Sequence, residues 1–225
     1  MGAFYRHIPA VIRSLGIEPK RILDAGCGAG QLMSILRSEF GCDVYGYDIS
    51  PRPGTPEKLR QAHPDVTWED RISIVGPEDP LPYEDQFFDV VVSNMVVEHV
   101  QNLEHFVRET RRVAKTGVHC FPSREIIWED HIRQPLTHRF PNNRWIDFWL
   151  SIGVGRKRAR NDWEDYFANS TAYRPLSEIK RIFENPSLEY SGCAVTQKLS
   201  PRKEYSACPH IPMLHWLLPI TVVCR

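Results

Sequence analysis

The segment from Arg21 to Leu32, RILDAGCGAGQL, constrains the fold more than any other part of the chain. A short apolar run leads into glycines at positions 26, 28 and 30, and a segment with helical periodicity follows. Because glycine has no Cβ and tolerates positive φ, this order predicts a buried strand, a turn that lets backbone approach a ligand closely, and a helix. A dinucleotide fingerprint would place its third glycine at position 31, where Gln31 stands. The spacing therefore favours a nucleoside cofactor that has no pyrophosphate.

The hydrophobic pattern of the chain alternates between the period of a strand and that of a helix. It predicts strands at 21–25, 43–48, 66–75, 88–93, 118–121, 188–199 and 217–224. Helices are predicted at 3–15, 30–39, 57–63, 102–115 and 176–184, with Gly117 as the cap of the fourth. Such alternation implies a mostly parallel, doubly wound sheet, in which ligands bind beyond the carboxyl ends of the strands.

The length of 225 residues favours a single domain over residues 1–225. Alternation stops over 122–170, a stretch rich in Trp, Arg, His, Asn and Pro. Ordinary connections in α/β folds have about 2–6 residues, so we interpret 122–175 as an inserted, substrate-binding lid after the fifth strand. The segment 1–16 is predicted to lie as a helix over the site.

Composition argues against several kinds of partner. The chain has 28 Lys and Arg against 28 Asp and Glu, a balance that argues against nucleic acid. No apolar run approaches the roughly 18 residues of a membrane span, and the N-terminus lacks a signal-peptide pattern. Six dispersed cysteines without a C-x-x-C pair favour reduced thiols in a cytoplasmic protein over disulfides or zinc. We therefore expect no membrane and no metal site, and the oligomeric state stays open.

Two acidic residues flank the predicted glycine turn. Asp48 ends the second predicted strand, 18 residues after Gly30, where a carboxylate accepts hydrogen bonds from ribose hydroxyls or caps a turn. Asp24 lies inside the first strand, where a buried charge is costly unless it is paired. A cationic group of the ligand or the amides of the turn would pair it. Both residues are therefore candidate cofactor contacts.

Four motifs in order carry a family resemblance: LDAGCGAG, GYDIS, LPYEDQFFDVVVS and VEHV. Together they resemble the class I S-adenosylmethionine-dependent methyltransferases, most closely the branch that modifies small molecules and metabolites. The resemblance covers about residues 20–121. It implies a Rossmann-like sheet of seven strands with the last strand antiparallel, and S-adenosylmethionine as cofactor, with S-adenosylhomocysteine as product.

The resemblance assigns roles to individual positions. The wall beside the methionine and ribose parts would be formed by Gly26, Cys27, Gly28 and Gly30. Asp48 would bind the ribose diol, Ile49 would pack on adenine, and Asn94 would contact the methionine end. The ammonium and carboxylate of the methionine part would suit Asp24 and the loop amides.

One position departs from the family pattern. The acid that often meets the adenine amino group would fall on Pro77, so Glu78 or Asp79 is expected to substitute. A related metal-binding pattern, Glu-x-x-Glu-His, would need its first Glu at Met95, which argues against a metal. His99 in the VEHV motif is a candidate general base, because an imidazole titrates near neutrality, or a residue that positions its loop.

The predicted lid supplies candidate substrate contacts at His131, His138 and Arg139, beside four tryptophans, and Tyr5 is expected to close over the site. We predict methyl transfer to a small molecule, natural product or sugar-containing acceptor. Two alternatives stay open. The basic run 156–160 would dock RNA or protein as the methyl acceptor, or the chain would bind the cofactor without turnover as a scaffold subunit.

Overall fold

The computed structural model describes residue 5 and residues 7–50, 52–129, 131–155, 163–183, 193–197 and 220–224, with backbone alone at 193–197 and 220. Its helices are α1 (His7–Ser14), α2 (Gln31–Phe40), α3 (Thr55–Ala62), α4 (Leu103–Val113), α5 (Asn143–Ser151), α6 (Trp163–Asn169) and α7 (Leu176–Phe183). Its strands are β1 (Arg21–Ala25), β2 (Asp43–Asp48), β3 (Ile72–Ile74), β4 (Phe88–Asn94), β5 (Ala114–Phe121), β6 (Trp128–Glu129), β7 (Gln134–Pro135), β8 (Cys193–Gln197) and β9 (Ile220–Cys224). Single 3-10 turns occupy Glu69–Arg71 and Val97–His99.

Seven strands form the main sheet in the order β3-β2-β1-β4-β5-β9-β8. β9 runs antiparallel to both of its neighbours, and the other strands run parallel to one another. The predicted fold, a doubly wound sheet with its last strand antiparallel, is therefore confirmed. The strand order reverses between β1 and β4, which is where ligands bind in open α/β sheets.

Two apolar layers cover the sheet because its parallel strands are buried on both faces. Val90 and Val92 of β4 pack with α1, α2 and α3 on one face, while Val91 packs with α4 and α7 on the other. The stripe predicted for α4 is confirmed, since each of its members is buried: Leu103, Phe106, Val107, Thr110 and Val113.

Among the predicted boundaries, two differ from the structure in an instructive way. Gly117 does not cap α4, because β5 begins at Ala114 and Gly117 pairs with Val91 inside the sheet. The third strand is limited to Ile72–Ile74 instead of 66–75. Trp68 is fully buried, its indole Nε1 donates to the carbonyl oxygen of His63 at 3.3 Å, and a 3-10 turn separates it from the strand.

A small second core lies beyond β5. It is built from Ile132, Ile146, Trp163 and Phe167, supported by the two-strand sheet β6-β7. This core lies in the stretch 122–170, where the hydrophobic pattern of the sequence has no regular period. Across the described ranges, no helix is both long enough and apolar enough to cross a bilayer.

Candidate functional site

The glycine turn after β1 has three glycines in the left-handed region, with φ of 78° at Gly26, 51° at Gly28 and 73° at Gly30. A Cβ on Gly26 would lie 2.5 Å from Cγ2 of Val96, and one on Gly30 would lie 2.9 Å from Cδ1 of Leu59. These two glycines are therefore required by packing as well as by φ. A Cβ on Gly28 would meet nothing within 4 Å, so Gly28 is the position where backbone faces open space.

The amides of this turn donate within the fold. Those of Gly26 and Cys27 donate to the carbonyl oxygen of Tyr47 at 2.8 and 3.0 Å. The amide of Gly28 donates to Oδ2 of Asp48 at 2.8 Å. In this structure the donors of these three residues are used by β2, and their contact with the cofactor's carboxylate stays a prediction.

Asp48, at the end of β2, holds the turn from the other side. Its Oδ1 accepts the amide of Ser50 at 2.9 Å while Oδ2 accepts that of Gly28. The carboxylate thus caps a turn, as one of the two interpretations proposed. Each carboxylate oxygen still has acceptor capacity for a hydroxyl, so capping does not prevent ribose binding. Ile49 follows with 63% of its surface exposed, which is unusual for isoleucine.

Asp24 is buried in β1 with 2% of its surface exposed. Burial, reinforced by the nearby Asp48 carboxylate, raises the pKa of Asp24 to about 8. Tyr5 lies close by, since its hydroxyl donates to Oε1 of Gln31 at 3.1 Å and burial, followed by the Asp24 charge, raises its pKa. The structure therefore brings Tyr5 to the start of α2, beside the glycine turn.

At the end of β4, the side-chain oxygen of Asn94 is buried and accepts no hydrogen bond from the residues that the structure describes. The next residue, Met95, has a φ of 59°, a backbone conformation that residues other than glycine rarely adopt. An orphaned amide oxygen, a buried carboxyl and an open backbone face at Gly28 suit a cationic nucleoside. The residues present therefore fit S-adenosylmethionine.

Glu78, one of the two predicted substitutes for the adenine-contacting acid, lies between β3 and β4 and contacts the start of α4. Oε2 of Glu78 accepts a hydrogen bond from the amide nitrogen of Asn102 at 2.9 Å, and Asn102 caps α4 through the amide of His105 at 3.1 Å. Glu78 is thus tied to α4 in this structure. Among the described residues, no group of three His, Cys, Asp or Glu is placed to hold a metal ion.

His99 ends the 3-10 turn after β4, and its ring is exposed. Its Nδ1 lies 2.7 Å from the carbonyl oxygen of Ser170, so Nδ1 carries the proton and donates. Desolvation of part of the ring lowers the pKa of His99 despite that hydrogen bond. Its ring centroid lies 5.1 Å from that of His131 and 6.5 Å from that of Tyr166.

The other predicted lid contacts fall into two sets. Nε2 of His138 and Nε of Arg139 both lie 3.0 Å from the carbonyl oxygen of Arg124. Both side chains therefore bind the backbone at the start of the lid. His131 instead faces Glu129, with Nδ1 and Oε1 2.5 Å apart. Sequence reasoning missed Glu129, although it lies only two residues before His131. The basic run 156–160 lies outside the described residues.

Comparison with known proteins identifies the family. Residues 23–121 match the model of a methyltransferase domain. The chain is 36% identical over 104 residues to norajmaline N-methyltransferase of Rauvolfia serpentina, an alignment that covers 44% of this chain and 34% of that protein. It is 30% identical over 186 residues to ubiquinone biosynthesis O-methyltransferase of Pseudomonas aeruginosa, covering 78% of each. The chain spans 34% and 39% of the lengths of norajmaline and ajmaline N-methyltransferases.

Solved structures share the fold. One is the 1,6-didemethyltoxoflavin-N1-methyltransferase of Burkholderia thailandensis, with bound 1,6-didemethyltoxoflavin and S-adenosylhomocysteine. It is 13% identical, with a TM-score of 0.56 and coverage of 100% of this chain and 78% of that one. The strand order, the site at its reversal point and these matches agree. The chain therefore belongs to the class I S-adenosylmethionine-dependent methyltransferases.

Proposed function

We propose that this chain transfers the methyl group of S-adenosylmethionine to a small-molecule acceptor. The observation that carries the proposal is the glycine turn at the β1–β4 switch point, pinned by Asp48 and open at Gly28. Relatives named as N-, O- and C-methyltransferases of small molecules, among them norajmaline, tocopherol and sterol methyltransferases, support an acceptor of that class. The dispersed cysteines support a cytoplasmic location.

Within this proposal, each site residue has a defined task. Asp48 accepts the ribose hydroxyls, Ile49 covers adenine, and Asp24 pairs the ammonium. Asn94 contacts the methionine end, where its buried oxygen otherwise has no partner among the described residues. Glu78 reaches adenine only after it leaves Asn102.

The cofactor supplies an already activated methyl group, so the protein's task is mainly to align the acceptor and to exclude water. We assign exclusion of water to Tyr5 with the N-terminal segment 1–16, and to the lid 122–175. His131, His138 and Arg139 lie in that lid. The second core of Ile132, Ile146, Trp163 and Phe167 gives the lid a packed interior, which supports its interpretation as a unit.

Calorimetry with S-adenosylhomocysteine tests the cofactor site. Asp48→Ala should weaken binding at least about tenfold, because it removes a charge-assisted acceptor and releases the amide of Gly28. Asp43→Ala is the matched control: Asp43 begins the same strand at its opposite end and pairs with Arg71 at 2.8 Å. Equal affinities in the wild type and both variants would reject the role of Asp48, and no binding by the wild type would reject the proposed function.

Transfer of labelled methyl to a panel of phenols, amines, thiols and RNA tests the acceptor class. We expect labelled small molecules and no labelled RNA. Salt-sensitive RNA labelling would favour the nucleic-acid alternative, and cofactor binding without any turnover would favour a scaffold.

His99→Ala should retain cofactor binding; near-normal turnover would show that His99 positions its loop and removes no proton.

A further inference from the structure

Residues 170–175 connect α6 to α7 and contact the loops that follow β4 and β5. We call this connection the strap. We infer that Arg174 of the strap is a positioning residue of the cofactor site: it holds the loop 95–101 after β4, and this loop supports the glycine turn. The inference rests on the proposed function and deepens it by linking the proposed lid to the affinity for the cofactor.

Three hydrogen bonds join the strap to the loop 95–101, and in each of them the acceptor is a backbone carbonyl oxygen. Two donors belong to the strap and one belongs to the loop. The bonds are the amide of Ala172 to Glu98 at 2.6 Å, Nη2 of Arg174 to Gln101 at 2.6 Å, and Nδ1 of His99 to Ser170 at 2.7 Å. The loop is therefore fixed to the strap both at its 3-10 turn and at its last residue.

The side chain of Arg174 is only 12% exposed. Besides its bond to the loop, Nη1 donates to the carbonyl oxygen of Ala172 at 3.0 Å, and Nε lies 3.4 Å from Oε1 of Glu178 on α7. Burial lowers the pKa of Arg174, and the Glu178 carboxylate acts in the opposite direction. A guanidinium removed from water is costly unless its donors are paired. Because these donors pair with carbonyls of the strap and of the loop, the side chain stabilises one arrangement of the two segments.

The strap also binds the chain that follows β5. The carbonyl oxygen of Arg174 accepts the amide of Arg124 at 2.8 Å, and the carboxylate of Glu125 accepts the amide of Leu176 at 3.1 Å. The strap therefore bridges the loops after two adjacent strands, β4 and β5. Since the proposed lid begins after β5, these bonds fix its position relative to the end of β4.

The loop 95–101 in turn packs against the glycine turn. Val96 fills the space beside Gly26, where a Cβ would lie 2.5 Å from Cγ2 of Val96. Met95 begins the loop with a φ of 59°, a conformation that persists only when the surrounding contacts enforce it. The strap supplies such contacts at the other end of the loop. Two steps therefore connect Arg174 to the turn that we propose binds the cofactor.

This connection links the strap to cofactor binding in both directions. If the docked strap favours the conformation of the turn that binds the cofactor, the bound cofactor favours the docked strap by the same factor. Loss of the Arg174 hydrogen bonds should therefore weaken cofactor binding. Bound cofactor should also protect the amides of the strap from hydrogen exchange.

Calorimetry with S-adenosylhomocysteine tests the first expectation. Arg174→Met removes the donors but keeps a long side chain, and it should weaken binding about tenfold or more. Arg112→Met is the matched control, because Arg112 also donates to two backbone carbonyls, those of Leu81 and Tyr83, but lies beside the start of β5. The control should bind within about twofold of the wild type. Arg174→Lys keeps a charged donor and should recover most of the lost affinity. Equal affinities of the two Met variants would overturn the inference.

Hydrogen exchange of the wild type tests the second expectation and needs no variant. Saturating S-adenosylhomocysteine should slow exchange in the peptide 163–176 about tenfold or more beyond its effect on 108–113, the end of α4 far from the site. Slowing that is equal in both peptides would report overall stabilisation by the ligand. That result, or binding without protection of the strap, would overturn the inference and leave the proposed function intact. A wild type that binds no S-adenosylhomocysteine would overturn both.

Discussion

The protonation state of Asp24 gives a quantitative prediction for cofactor binding. With a pKa of about 8, Asp24 is neutral in about nine tenths of empty molecules at pH 7. Pairing with the cofactor's ammonium requires the ionised form, which costs about 1 kcal/mol at pH 7 and about 3 kcal/mol at pH 6. Binding at pH 7 should therefore release close to one proton, and this contribution should strengthen affinity about ninefold from pH 6 to pH 7.

Calorimetric titration of S-adenosylhomocysteine in buffers of different ionisation enthalpy measures the proton release directly. Asp24→Asn is the matched variant, because its amide has similar size and never titrates. Ionisation of the ligand's own groups is common to both proteins, so the ratio of their affinities isolates Asp24. That ratio should grow from about pH 6 to pH 8. A ratio independent of pH, with no proton released by the wild type, would refute the pairing of Asp24 with the ammonium.

Three further substitutions probe the scaffold and the turn by urea unfolding and cofactor titration. Gly28→Ala should cost about 1 kcal/mol of stability through its positive φ and weaken cofactor binding as well, whereas Gly41→Ala has the same strain away from the site. His119 is fully buried, which lowers its pKa to about 3. It is protonated only on unfolding, so from pH 6.5 to pH 5 the wild type should lose about 2 kcal/mol relative to His119→Gln. Arg112→Met should lower the free energy of unfolding by about 2–3 kcal/mol, and Lys115→Met should lower it by less than about 1 kcal/mol.

The controls define what would contradict these expectations. Equal affinity of the Gly28→Ala and Gly41→Ala variants would mean that Gly28 does not face the cofactor. A parallel pH dependence of the wild type and His119→Gln would assign the acid instability to other groups. Arg112 donates to Oε2 of Glu109 at 2.9 Å and to the carbonyl oxygen of Leu81 at 2.9 Å, whereas Lys115 pairs with Asp89 at an exposed edge. Similar losses for both variants would show that burial adds nothing to the Arg112 network.

The sequence predicts most of the sheet because local and tertiary signals agree there. An apolar run next to a glycine turn folds as a buried strand. The predicted bounds of β1 and β2 match the observed ones. Gly117 shows where local signals fail. A glycine after a helical pattern indicates a cap, but pairing with Val91 and Cys224 on neighbouring strands places it inside a strand. Such pairing partners are distant in sequence and leave no local pattern.

The candidate site shows the same difference between residues with a local signal and residues that depend on distant contacts. Asp24 and Asp48 were predicted from their places in the first strand and at the end of the second, and Asn94 from the family resemblance; the fold brings all three to one edge of the sheet. Glu129 was missed because its importance depends on a contact with Tyr173, 44 residues away. In the lid, function depends on contacts between side chains that are distant in sequence. Because the backbone there is irregular, the sequence alone does not specify those contacts.

The glycine turn, which we propose faces the cofactor, is fastened to the next strand through the carbonyl of Tyr47 and the carboxylate of Asp48. The shape of the pocket therefore depends on the alignment of β2 with β1, in which Ala25 is level with Tyr47. Loss of a single residue from the α2–β2 connection would slide that alignment by one position and turn Asp48 to the opposite side of the sheet. The length of this connection, Gly41 and Cys42, is therefore constrained by the turn at the opposite end of β2.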